Sequence, residues 1–173
     1  MPVLSRDQVA EFLTVQLNLT VRDLQPDDLA ELDWSGGPEH LRALAEAWQG
    51  SLADEAAVLV VTLDNGRPVA CGAVDYRRYP EAGFLWMLAV QQTLQGLGIG
   101  SLLISALEDR AAGRGLGHLR LHVEYDNPRA AALYRRLGYR EVGSTLDSWP
   151  VAAGQTYVTV SAVLQRDLDE PAQ

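Results

Sequence analysis

Between residues 84 and 124 the chain reads as a strand, a helix and a second strand, and that succession constrains its architecture more than any other feature. FLWMLAV at 84–90 is continuously apolar, the pattern of a strand buried on both faces. LQGLGIGSLL at 94–103 carries glycines at 96, 98 and 100. Beyond them Ile99, Leu102, Leu103, Ala106 and Leu107 recur at helical spacing, until Gly113, Gly115 and Gly117 end the helix. HLRLHVE at 118–124 alternates, with Leu119, Leu121 and Val123 on one side and Arg120, His122 and Glu124 on the other. A strand joined through a helix to another strand of the same sheet makes a parallel crossover.

The segments before it point the other way, to antiparallel pairing. Ala56 to Leu63 and Pro68 to Val74 are strand-like runs separated by Asp64-Asn65-Gly66-Arg67. Asn-Gly in that place predicts a hairpin closed by a type I′ turn, with positive φ at both central residues. Leu19 to Leu24 suits a further strand, Pro26-Asp27-Asp28 a helix start, and Pro38 opens a helix with Leu41, Leu44, Ala45 and Trp48 on one face. Pro80 to Gly83 reads as a turn. The spacing Ser5-Arg6-Asp7-Gln8 is that of a capping box, which predicts a helical extension over 1–17.

After the crossover, Asp126-Asn127-Pro128 supplies a capping side chain followed by Pro at the first helical position, and Gly138 closes that helix. Tyr139 to Gly143 and Thr156 to Leu164 read as two last strands, and 166–173 as a frayed acidic tail. The expectation is one domain over 1–173, of the α/β (α+β) class. Its centre is a mixed, mostly antiparallel sheet of six to seven strands, flanked by helices and holding one parallel crossover.

Composition narrows the partners. Fourteen basic against 23 acidic residues give a net charge of −9, with no run of Lys or Arg, so neither nucleic acid nor an anionic membrane is expected as a partner. The single cysteine, Cys71, excludes an internal disulfide framework and reads as a buried thiol in the apolar run PVACGAV. With no signal-like start and no long uncharged apolar run, the expected location is the cytoplasm.

A helix start leaves backbone N–H groups unpaired at the positive end of the helix dipole, and glycines let an anion approach that backbone. Gly96, Gly98 and Gly100 therefore read either as a pyrophosphate cradle or as a tight strand-to-helix turn. A P-loop would need Gly-Lys-Ser/Thr where Gly100 is followed by Ser101 and Leu102. A dinucleotide fingerprint belongs in the first crossover of a parallel sheet, with an acidic residue about twenty positions on. Here a hairpin comes first and Glu124 lies too far along.

The residues around the glycines resemble a known motif. LAVQQTLQGLGIGSLL is similar to the acetyl-CoA motif of the GNAT superfamily of N-acetyltransferases, with Gln95, Gly98 and Gly100 in its Gln/Arg-x-x-Gly-x-Gly/Ala positions. DNPRAAALYRRLGYREVG resembles the family's second signature through Asn127, Leu133, Tyr134, Gly138 and Tyr139. The resemblance covers about residues 18–165. It implies a GNAT-like fold and acetyl-CoA as acetyl donor, with no metal. The acceptor would be a primary amine of a small molecule or peptide, attacked directly in a ternary complex. A homodimer stays open.

The same resemblance implies roles. Backbone groups at Leu88, Ala89 and Val90 would hold the pantetheine and thioester. Those of Gln95, Gly96, Leu97, Gly98, Ile99, Gly100 and Ser101 would hold the pyrophosphate. Asn127 would contact the CoA arm, and Tyr134, seven residues on and so on the same side of its helix, would protonate the departing thiolate. Many relatives carry a glutamate base two residues before the leucine of Leu-Ala-Val, where this chain has Trp86. Glu124 is taken as the base, with His122, Asp126 and Asp75 as other candidates. Trp86, Trp34 and Tyr76 are expected to shape the acceptor pocket. The alternative is a non-catalytic acyl-CoA-binding module that has lost its base.

Overall fold

The computed structural model describes residues 16–152 and 154–168. The capping box at Ser5–Gln8 lies outside the described residues, and Gln16 and Leu17, the end of the expected extension, are not helical. In chain order the elements are β1 (Leu19–Asp23), α1 (Pro38–Leu52), β2 (Ala56–Leu63), β3 (Pro68–Tyr79), β4 (Ala82–Val90), α2 (Ile99–Gly113), β5 (His118–Glu124), α3 (Pro128–Arg136), β6 (Arg140–Ala152) and β7 (Gln155–Asp167). The helix start at Pro26 yields only a 3-10 segment, Pro26–Glu31, followed by another at Asp33–Ser35.

The strands form one seven-stranded sheet in the order β1-β2-β3-β4-β5-β7-β6, and β4 with β5 is its one parallel pair. This is the mixed sheet with a single crossover that the patterning implied, and the alternation of β5 holds, with Leu119, Leu121 and Val123 buried. Three expectations need correction. The β2–β3 hairpin forms, but only Gly66 (φ 80) is left-handed, not Asn65. Gly66 N–H donates to Leu63 O at 2.8 Å and Leu63 N–H to Arg67 O at 3.1 Å, a three-residue connection in place of a type I′ turn. The last two strands are much longer than the runs at 139–143 and 156–164; β6 lies at the sheet edge, where its Pro150 is tolerated. Arg166 and Asp167, read as the start of a frayed tail, belong to β7, where Asp167 pairs with His118.

Helices α2 and α3 cover one face of the sheet, and α1 with the 3-10 segments covers the other. Between the sheet and α2, Leu103, Ile104 and Leu107 are fully buried against Leu85, Leu119 and Leu121. Each such side chain contributes roughly 1.5–3 kcal/mol by leaving water. The α2 face also buries one carboxylate: Glu108 accepts from Tyr139 Oη at 2.9 Å and from Arg166 Nη1 at 2.6 Å. That pairing ties α2 to β7 and to the end of α3.

A break in the sheet positions the candidate site. Trp86 pairs with Ala73 and Ala89 with Cys71, so Met87 and Leu88 together oppose Gly72, and Met87 takes a left-handed φ of 53. This is a β-bulge, which bends the strand that carries it. Gly72 makes it fit: a Cβ there would lie 2.5 Å from Leu88 Cδ2. Below the bulge β4 pairs with β5 from Ala82–His118 to Leu85–Leu121; above it the pairing stops. The two central strands part, and the cleft between them opens beside the start of α2.

Candidate active site

Two chain segments build the cleft, and a third packs beside them. The upper part of β4 forms one side, and Trp34, Ser35, Leu88, Ala89, Val90, Gln92 and Gln95 line a cavity of about 440 Å³ against it. Gln95 Nε2 donates to Val90 O at 3.0 Å, so this side chain ties the glycine stretch to the end of the strand.

The glycine stretch forms the second side. Gly96 (φ 85) and Gly98 (φ 84) are left-handed, and Gly98 is the N-cap of α2 with no side chain to satisfy the helix start. The first helical bond runs from Leu102 N–H to Gly98 O at 3.0 Å, so the N–H groups of Ile99, Gly100 and Ser101 precede it. Nothing lies within 4 Å of a Cβ built on Gly96 or Gly98, while one on Gly100 would make ordinary contacts with Val90 and Leu133. Two of the three glycines are therefore required by backbone conformation, and the third is not. The open space over the first two, with unpaired N–H groups beside it, fits a diphosphate.

Helix α3 packs beside the glycine stretch, its Leu133 Cδ2 lying 3.9 Å from where a Cβ on Gly100 would sit. Asn127 Oδ1 accepts from Ala130 N–H at 3.1 Å, the N-cap bond its position predicts. Tyr134 is packed edge-to-face on Tyr139, with ring centroids 5.8 Å apart. Burial pushes its hydroxyl up to about 12. It is thus a proton donor at neutral pH.

The candidate bases are differently placed. Glu124, at the end of β5, accepts from Tyr157 Oη at 2.9 Å, so a residue of the β6–β7 hairpin orients its carboxylate. Tyr157 in turn packs on Trp149 at 4.9 Å. His122 has a side chain only 6% exposed and both ring nitrogens engaged, Nδ1 with Asp147 at 2.9 Å and Nε2 with Tyr79 Oη at 3.0 Å. Asp75 is held by Arg77 at 3.1 Å; burial raises its carboxyl, but the bonds to Arg77 outweigh that and leave it below the usual range. Asp126 is exposed on the turn before α3.

The aromatic residues expected around the acceptor do not all meet. Trp34 and Trp86 share the cluster on the α1 side of the sheet. Tyr76 lies at the opposite end of α2, under the Arg114 guanidinium at 4.3 Å, where it lines a separate cavity of about 860 Å³ with Trp48, Asp54 and Arg110. β3 runs five residues beyond Val74 and carries Tyr76 away from the cleft. Cys71 is buried, and burial pushes its thiol up to about 11, which makes it a poor nucleophile. Tyr157, Trp149 and the Asp147–His122–Tyr79 chain were not anticipated. Aromatics at 149 and 157, flanking the Gly154 turn, are the signal that could have brought the first two forward.

Among the described residues no group of three or more His, Cys, Asp or Glu side chains could hold a metal, and no helix is long and apolar enough to cross a membrane. The acetyltransferase (GNAT) family model matches residues 21–139. The chain is 34% identical to an L-2,4-diaminobutyric acid acetyltransferase of Nocardia farcinica over 94 residues, which cover 53% of this chain and 48% of the relative. It is also 34% identical to the N-alpha-acetyltransferase RimI of Mycobacterium tuberculosis over 85 residues, 49% of each chain. It thus spans about half the length of these curated relatives. The structure of yncA from Salmonella typhimurium, solved with its cofactor acetyl-CoA, superposes with a TM-score of 0.68 at 20% identity, covering 90% of this chain and 97% of that one.

Proposed function

Because the chain belongs to the acetyltransferase (GNAT) family, we propose that it transfers an acetyl group from acetyl-CoA to a primary amine of a small molecule or peptide, by direct attack while both are bound. One observation carries this reading: the two central strands part beside a helix that starts on left-handed Gly98, which brings free strand backbone and unpaired helical N–H groups together at one place. Leu88–Val90 would hold the pantetheine arm and thioester, and Gln95–Ser101 the pyrophosphate. The amide nitrogen of Asn127, whose oxygen caps α3, is left to face the arm.

In the transfer the amine nitrogen bonds to the thioester carbonyl carbon and the carbon–sulfur bond breaks. Glu124 takes the proton the amine loses, and Tyr134 gives one to the sulfur, so the products are an amide and the free thiol of CoA. Tyr134 suits that task because burial keeps its hydroxyl protonated. The Tyr157 bond suits Glu124 to its own, since it holds the carboxylate in one orientation at the end of β5.

The test is acetyl-CoA with a broad panel of amines, reading release of free thiol. Wild type should turn over at least one amine, and Tyr134→Phe should slow that turnover on the order of a hundredfold, leaving acetyl-CoA affinity nearly unchanged. Protection by acetyl-CoA against heat without turnover of any amine would favour the non-catalytic acyl-CoA-binding module. An equal loss of binding and rate in Tyr134→Phe would make that tyrosine a packing residue.

A further inference from the structure

Acidic residues outnumber basic ones in this chain, 23 against 14, and all the basic ones are arginine. Outside α3, every arginine at a described position is ion-paired to a carboxylate except Arg120, which donates to Gln165 Oε1 at 2.8 Å and lies over the Tyr79 ring. On α3, Arg129, Arg135 and Arg136 are exposed, and among the described residues no carboxylate, Asp126 included, pairs with any of them.

Two of these cations are accounted for by the helix itself. Arg135 and Arg136 lie in its last turn, at the negative end of its dipole, where positive charge is favoured. Arg129 lies in the first turn, directly after Pro128. There the dipole and the unpaired N–H groups disfavour a cation, and no acidic residue stands in that turn to offset it.

The neighbourhood of Arg129 follows from the topology. β4 and β5 run parallel and each leads into the helix after it, so α2 and α3 start at the same edge of the sheet and run the same way. Leu133 of α3 touches the first turn of α2 at Gly100. Arg129 is four residues before Leu133, one turn nearer that shared edge and roughly 40° around the helix from it. It therefore stands on the α2 side of α3, toward the end at which α2 begins on left-handed Gly98. An exposed guanidinium set against its own helix dipole, beside a second helix start with unpaired N–H groups, calls for an anion further to the one the glycine stretch would hold.

We infer that Arg129 is a specificity-determining residue for the acyl donor, and that it binds the 3′-phosphate on the adenosine ribose of CoA. This rests on the acetyl-CoA reading above. The chain thereby separates CoA from carriers of the same pantetheine arm that lack the ribose phosphate.

The test is calorimetric titration of CoA and of 3′-dephospho-CoA into wild type, Arg129→Gln, Arg129→Lys and Arg135→Gln. Wild type should bind CoA about tenfold more tightly than dephospho-CoA, the scale of one charge-assisted contact to phosphate, and added salt should shrink that ratio. Arg129→Gln should bind both ligands as wild type binds dephospho-CoA, which brings the ratio near one. Arg129→Lys should keep part of the preference. Arg135→Gln, about 160° around α3 from Leu133, should keep all of it. Without ligand, Arg129→Gln should melt no lower than wild type, because its loss removes an unfavourable interaction with the dipole. A wild-type ratio near one, a ratio unchanged in Arg129→Gln, or a lower melting temperature of that variant would overturn the inference, while CoA binding and the cofactor reading stand. Binding of neither ligand to wild type would sink both.

Discussion

Gly98 and Gly115 allow the ligand role of the glycine stretch to be separated from its structural role. Both are left-handed, at φ 84 and 83, both stand at an end of α2, and neither has any atom within 4 Å of where a Cβ would sit. Replacing either by alanine therefore adds backbone strain and no clash. A left-handed L-residue costs about 1–2 kcal/mol, which in a domain of this size lowers Tm by roughly 2–8 °C. The two variants should lose similar stability when no ligand is present. Acetyl-CoA at a hundred times its dissociation constant adds roughly 2.7 kcal/mol to wild type, an upward shift of about 5–11 °C. Gly115→Ala should keep that whole shift, because it lies at the far end of α2. Gly98→Ala should keep well under half of it, because any relaxation of φ turns the first N–H groups of the helix away from the ligand. Thermal melts with and without acetyl-CoA decide the matter. Equal shifts in the two variants would refute the reasoning and place the pyrophosphate elsewhere.

Two further outcomes follow from the charged groups. Glu124→Gln should lower acetylation most near neutral pH and recover partly as pH rises and free amine accumulates, so a pH–rate profile superimposable on wild type would exclude Glu124 as base. Burial raises the Glu108 carboxyl above its ordinary value of 4.5, against the lowering effect of Tyr139 and Arg166. The folded protein thus holds that proton to higher pH than the unfolded chain does. Its contribution is fully present below 4.5 and is lost as pH climbs through the raised folded value. Urea unfolding at several pH values from 4 to 7 should show wild type losing stability relative to Glu108→Gln across that window; a constant difference would contradict it.

What the sequence made legible was local. The alternation in HLRLHVE needed only period-two patterning, and Asn127 before Pro128 named its own cap bond, later found at 3.1 Å. The bulge in β4 was hidden because FLWMLAV is apolar throughout: a run with no alternation carries no mark of where its register changes. The nearest clue lies on another strand, in Gly72. The partners of Glu124 and His122 were hidden for a related reason. Tyr157 and Asp147 reach Glu124 and His122 from a hairpin 33 and 25 positions further along, and two residues so far apart are joined by sheet order, which no single segment states. Tyr76 lies away from the cleft because β3 runs on past Val74, and each strand residue moves a side chain about 3.3 Å further along.

The bulge at Met87 and Leu88 is also a parity switch. Below it Leu85, an odd position, faces α2; above it Leu88 and Val90, both even, do so, and Trp86 and Ala89 face α1. A regular strand with Leu85 toward α2 would send Trp86, Leu88 and Val90 together toward α1, and the two layers could not both be filled as they are. One inserted residue therefore lets a single strand contribute to the hydrophobic layer under α2 along its whole length and still hold its tryptophan toward the opposite layer. Removing that residue would exchange the surfaces of everything downstream in β4. The strand should therefore not tolerate gain or loss of single residues, however conservative the side chains that remain.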